Sequence, residues 1–286
     1  MQIINGYEVA GELTTQNSGF ARWGRCTKDG YDYFVKEFLS PVYPQASSGL
    51  SADALSRRRR QCEEFYDSRR EFYNALSQCR TGNNIVVYQF FRYGPKYYAI
   101  TDWVEPSSID VRDVAGLDER RRLALVRVLL RNVMSLHEHG VVHADLKLDN
   151  LIFKETRDGY MTAKLIDFDS GFLIGKAPKE MQGDLVYMAP ETYLAMNGAT
   201  VPITPKIDVF AMGLLVHQLW TGSLPQVGSR YNYAFEAVLN GEDVRLDARI
   251  PREIQLAIRR MLSREPVDRP MSKRLFHLFG EVGVMS

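Results

Sequence analysis

The run His143-Ala144-Asp145-Leu146-Lys147-Leu148-Asp149-Asn150, followed by Ile166-Asp167-Phe168-Asp169, is the most informative part of the chain. It gathers carboxylates, an amide and an ammonium within one short span. A hard divalent cation takes carboxylate and amide oxygens, which Asp167 and Asn150 can supply. Asp145 is placed to accept a proton from an attacking hydroxyl, and Lys147 to steady a transferring phosphoryl group. Phosphoryl transfer is mostly positioning and charge neutralisation, so it calls for such a set. An isolated His-x-Asp is more often a capped turn. Here the flanks agree with the chemistry: Val141-Val142, Leu151-Ile152-Phe153 and Lys164-Leu165-Ile166 read as short buried strands around two loops.

Composition sets the bounds. The chain has 286 residues, a formal net charge of +1, 45% apolar and 25% charged residues. That is enough for a large core in one domain or two lobes. Near-neutral charge gives no reason to expect nucleic acid or an acidic membrane as the main partner. No run approaches the roughly 18 apolar residues of a membrane span. The N-terminus lacks the basic start and apolar middle of a signal peptide. Cys26, Cys62 and Cys79 are scattered and odd in number. They suit neither a zinc site nor a disulfide framework, and are expected to be reduced thiols in the cytoplasm.

Residues 7–38 alternate around turn signals such as Lys28-Asp29-Gly30 and predict three antiparallel strands, the last Tyr33–Phe38. A Pro/Ser/Gly-rich loop over 39–52 leads to a long polar helix, roughly Ala52–Gln78. The run Arg57–Arg60 on it reads as a solvated face rather than a docking patch. Strands are expected at Asn84–Phe91 and Lys96–Val104. From Asp118 onward helices dominate, beginning with the periodic Leu123–His139.

The pattern H-x-D-L-K-x-x-N and then D-F-x resembles the catalytic and metal-binding loops of protein kinases. The likeness can be followed from about Tyr7 to Phe279. It implies an α+β, two-lobed protein kinase fold as one kinase domain over 1–286. The small antiparallel-sheet N-lobe, with one main helix, would span about 1–104. The mostly helical C-lobe would span about 105–286, with the join near Val104–Ser108. The resemblance also implies roles. Lys36 looks like the strand lysine that contacts the α- and β-phosphates, and Glu71 like its helix partner, with Glu64 two turns earlier as the other choice. Tyr98–Val104 is similar to the hinge that grips adenine through backbone groups, which assigns Asp102 and Val104 to the cofactor and Thr101 to the gatekeeper place. The phosphate-covering pattern G-x-G-x-x-G-x-V falls on Gln16–Trp23, where Ser18 and Gly19 would face phosphates although Gly19 is its only glycine. Asn150 and Asp167 would hold Mg2+ or Mn2+ alongside ATP.

Farther on, Ala189-Pro190-Glu191 resembles the close of an activation segment. Asp208 would brace the catalytic loop from below, Leu219–Pro225 would end the Asp208 helix, and Arg269 would pair with Glu191. Three departures stand out. Ala144 replaces an arginine that binds activation-segment phosphate, so activity is expected not to depend on that phosphorylation. Asp169 replaces the glycine of D-F-G. Asp184 replaces a threonine and would bring a carboxylate near Lys147. The implied activity is transfer of the γ-phosphate of ATP to serine or threonine hydroxyls of protein substrates, Lys147 being the serine/threonine form. The alternative is a pseudokinase acting as a nucleotide-binding or scaffold module. A stand-alone cytoplasmic kinase, of bacterial source, fits the compact chain, which leaves its oligomeric state open.

Overall fold

The computed structural model describes residues 2–16, 21–45 and 49–285. The backbone separates into two compact units, Met1–Gln78 with Ile85–Glu105, and Cys79–Asn84 with Pro106–Ser286.

The first unit is built on one antiparallel sheet. Strands β1 (Gln2–Ile4) and β2 (Tyr7–Val9) form a hairpin. Its turn is Asn5-Gly6, with φ of 50° and 83°. Asn-Gly suits such a turn because both residues tolerate the left-handed backbone that matches strand twist. Strands β3 (Ala21–Lys28) and β4 (Tyr31–Phe38) are joined the same way by Asp29-Gly30. Helix α1 (Ala52–Leu76) follows, its first turn capped by the Ser51 hydroxyl, which accepts from the Ala54 amide. Strands β5 (Val87–Tyr93) and β6 (Lys96–Asp102) complete the sheet in the order β1-β2-β3-β4-β6-β5.

Alternation sorts this sheet into two faces. Val35, Cys26 and Ile100 point to one side and form a core with Ile4, Tyr7, Val9 and Tyr98. On the other side Phe38 and Tyr97 meet Phe65 of α1, at ring separations of 5.5 and 5.2 Å. Burying one such side chain is worth about 1.5–3 kcal/mol. The three strands expected within residues 7–38 are present. The N-terminal strand β1 was not anticipated, although Asn5-Gly6 is a strong hairpin signal.

In the second unit, α2 (Val111–Ala115) precedes α3 (Glu119–Glu138), which starts where the Asp118 carboxylate accepts from Arg121 N–H. Leu123, Val126, Leu130 and Val133 recur at helical spacing and are buried. Then come β7 (Val141–Val142), β8 (Leu151–Glu155), β9 (Met161–Leu165) and β10 (Phe172–Leu173), pairing as β7 with β10 and β8 with β9. The rest is helical: α4 (Pro190–Met196), α5 (Lys206–Thr221), α6 (Ala234–Leu239), α7 (Arg252–Met261) and α8 (Ser272–Met285). Helix α5 is apolar nearly all round and buried from Ile207 to Val216, as its composition demands. It stops at Gly222, whose φ of 79° takes the left-handed cap position.

One boundary differs from expectation. The strand expected from Asn84 starts at Val87 instead, and 79–84 belongs with the second unit. The Asn83 carbonyl accepts from Leu165 N–H at 2.7 Å, so that turn is spent on β9. Likewise β6 ends at Asp102, leaving Trp103 and Val104 in irregular backbone. The fold class is α+β: an antiparallel-sheet unit with one main helix, and a mostly helical unit.

Candidate active site

The loop between β7 and β8 is shaped from beneath by α5. Asp208, in the first turn of that helix and 1% exposed, accepts from His143 N–H at 2.9 Å and Ala144 N–H at 2.8 Å. His137 Nε2 lies 3.0 Å from the same carboxylate, and its Nδ1 is 3.0 Å from the Ser272 hydroxyl. Burial works against the charge of Asp208, but the hydrogen bond from His137, the neighbouring imidazoles and the backbone donor of His143 outweigh it and hold the carboxyl below its usual range. These bonds hold Ala144 at a φ of 64°, a left-handed backbone that costs an L-residue about 1–2 kcal/mol.

That bend delivers Asp145 and Lys147 together. Asn150 Nδ2 donates to the Asp145 carbonyl at 2.7 Å and to its Oδ2 at 3.1 Å. Lys147 Nζ stands 3.0 Å from Asp145 Oδ2 and 3.8 Å from Asp184 Oδ2. Asp184 also donates its own N–H to Asp145 Oδ1 at 3.3 Å. Burial disfavours the Lys147 ammonium, yet the hydrogen bond and charge of Asp145, with Asp184 and Asp167 behind it, raise its pKa above the usual lysine value. The site thus holds a carboxylate flanked by a firmly protonated lysine.

Asp167 follows β9 with a φ of 57°, and its Oδ1 accepts from Asp169 N–H at 3.3 Å. Ile166 ties this loop to the previous one. Its N–H donates to the Asn150 carbonyl at 3.0 Å, and its carbonyl lies 3.2 Å from His143 Nε2. The Asp145 N–H donates to His143 Nδ1 at 3.3 Å, so Nε2 carries the hydrogen toward Ile166. Burial pushes the His143 pKa down, which keeps the ring neutral in that role. Phe168 packs on it at a centroid distance of 4.5 Å.

The donor chemistry fits a hard cation. Asn150 Nδ2 is committed to Asp145, which leaves the amide oxygen as its remaining ligand atom, and Asp167 adds a carboxylate. Among the described residues no group of three or more His, Cys, Asp or Glu could hold a metal by itself. A two-oxygen protein contribution is the pattern of Mg2+, which keeps waters and substrate phosphates in its shell.

The first unit carries the other expected residues. Lys36 lies on β4 between Trp23 and Ala99, on the sheet face that α1 covers, while Glu71 and Glu64 sit at exposed positions of α1. Asp102 Oδ1 accepts from Val86 N–H at 2.8 Å, and Val104 follows in the irregular stretch. Ser18 and Gly19 lie outside the described residues. Sequence reasoning missed Glu37, next to Lys36 but on the opposite face and 1% exposed. Its Oε1 accepts from Arg22 Nη2 and Lys96 Nζ, each at 2.6 Å, and its Oε2 from the Tyr98 hydroxyl at 2.8 Å. Burial opposes that charge, and the three donors still hold its pKa below the usual glutamate value. Its neighbours in sequence give no sign of such burial. Strand alternation from Val35 was the one available signal.

Away from these loops, Arg269 and Glu191 form a buried two-pronged pair at 2.6 and 2.8 Å.

Comparison with known proteins settles the family. A family model described as "Protein kinase domain" matches residues 54–278. The chain belongs to the protein kinase family. This kinase domain is 32% identical over 154 residues to "Calcium-dependent protein kinase 6" of Plasmodium berghei, covering 52% of this chain and 10% of that protein. It is 31% identical over 156 residues to "Calcium-dependent protein kinase 25" of Arabidopsis thaliana, covering 53% and 29%. With "Serine/threonine-protein kinase pkn3" of Myxococcus xanthus it shares 29% over 168 residues, covering 56% and 31%. The matched part of the chain thus spans between about a tenth and a third of these relatives' lengths. Among the described residues no helix is long and apolar enough to cross a membrane.

Proposed function

We propose that this kinase domain transfers the γ-phosphate of ATP to serine and threonine hydroxyls of protein substrates. The observation that carries the reading is Lys147 Nζ held 3.0 Å from Asp145 Oδ2, in a loop that Asn150 and Asp208 brace. Asp145 takes the proton of the attacking hydroxyl. Lys147 offsets charge on the group in transfer. Asn150 and Asp167 hold a divalent cation, Mg2+ or Mn2+, which when bound neutralises phosphate charge. Lys36, oriented by Glu71, contacts the α- and β-phosphates, and the backbone of Asp102–Val104 receives the base. A pure scaffold has no chemical use for a carboxylate and a lysine held in contact, which disfavours the pseudokinase alternative. Cys26, Cys62 and Cys79 are buried thiols outside any disulfide, in keeping with the reducing cytoplasm as the place of action.

The test is incorporation of label from γ-labelled ATP into a generic acceptor protein with Mg2+ or Mn2+, followed by phosphoamino-acid analysis. Wild type is expected to label serine and threonine, and Asp167→Asn to lose the label. Labelled tyrosine, or equal labelling by the variant, would contradict this reading.

A further inference from the structure

In the first unit's sheet Trp23 pairs with Lys36 and Arg25 with Phe34. Alternation therefore puts Trp23, Arg25, Phe34 and Lys36 on one face. Three of its aromatic rings are stacked. Trp23 lies on Phe34 with centroids 5.5 Å apart and planes at 17°, and Phe34 on Trp103 at 6.5 Å and 26°. The Arg25 guanidinium sits 5.4 Å from the Trp103 ring centroid. Both indoles are pinned, Trp23 Nε1 donating to the Gln16 carbonyl and Trp103 Nε1 to Glu105 Oε1, each at 2.7 Å.

This inference rests on the nucleotide reading above, in which Lys36 takes phosphates and Asp102–Val104 takes the base. Phe34 is two residues from Lys36 on the same face and stacks on Trp103, the residue between Asp102 and Val104. A base held by that backbone, with its phosphates at Lys36, has to cross the ground these rings cover. The sequence patterns agree, since the valine of G-x-G-x-x-G-x-V is Trp23 here, and the alanine of V-A-I-K is Phe34.

We propose that the Trp23–Phe34–Trp103 stack fills the place of the nucleotide base. Nucleoside triphosphates then bind by displacing a ring, are held chiefly through their phosphates, and are poorly distinguished by base. Base stacking on aromatic rings and ring–ring stacking are of similar strength, so the exchange returns little net affinity.

The experiment is titration calorimetry of ATP and GTP, with Mn2+, on wild type, Phe34→Ala and Trp23→Val, each first shown to unfold cooperatively. Phe34→Ala is expected to bind ATP roughly tenfold more tightly than wild type and to widen the ATP-over-GTP preference. Trp23→Val is expected to move the same way, and carries the test if Phe34→Ala does not fold. Wild type that binds ATP, with variants that bind it equally or less well, would overturn the proposal and leave the kinase reading standing. Absence of ATP binding in all the folded proteins would overturn the nucleotide reading and the proposal with it.

Discussion

Asp208 does more for the site than its place in the first turn of α5 suggests. It supplies the acceptor for two consecutive amides, His143 and Ala144, and so fixes the left-handed bend that turns Asp145 toward Lys147. Asp208→Ala strands the buried His143 N–H, the half-buried Ala144 N–H and a histidine, at a cost of about 3–5 kcal/mol. The pH dependence follows from its lowered pKa. A carboxyl held below its usual 3.8 contributes fully above that value and loses its contribution as pH falls through the lower folded value. Urea unfolding at pH 5 and 3 should thus show a smaller gap between wild type and Asp208→Ala at pH 3 than at pH 5. An unchanged gap at pH 3 would mean the carboxylate is not the source of the stabilisation.

Elements set how close these residues can come, and helix α5 shows a tight fit. A Cβ on Gly213 would stand 2.9 Å from Leu262 Cδ2 and 3.0 Å from Met261 Cβ, so α7 and the residue after it approach a bare backbone. Gly213→Ala is expected to lower the unfolding free energy by about 1–3 kcal/mol, measured by chemical denaturation, despite the better helix propensity of alanine. A stabilised variant would show that α7 yields freely. At this scale much was legible in the sequence. Motif spacing placed the loops after β7 and β9, the resemblance implied the Asp208 brace, and the expected helix ending within Leu219–Pro225 falls at Gly222. The misses have physical reasons. The β1–β2 hairpin strands are only three residues each, too short for alternation to register. Asn84 pairs away from its own sheet, a tertiary preference that local pattern does not carry. Glu37 reads as a surface residue, because its three donors come from positions 22, 96 and 98.

Across the whole chain, 286 residues at a net charge of +1 say little about what the protein does. The order of its motifs says most of it, and the family match over residues 54–278 agrees with that order. Asp184, expected near Lys147, stands 3.8 Å from it; what stayed hidden was the company of aromatic rings gathered beside Lys36. The central claim is that Asp145 receives the proton of the attacking hydroxyl. It is tested most directly by the turnover rate of Asp145→Asn against wild type at saturating ATP and acceptor, with ATP affinity measured in parallel. The account predicts a rate reduced by about 10²–10⁴-fold at similar nucleotide affinity, the usual contribution of a positioned base. A variant turning over within a few-fold of an active wild type would contradict it.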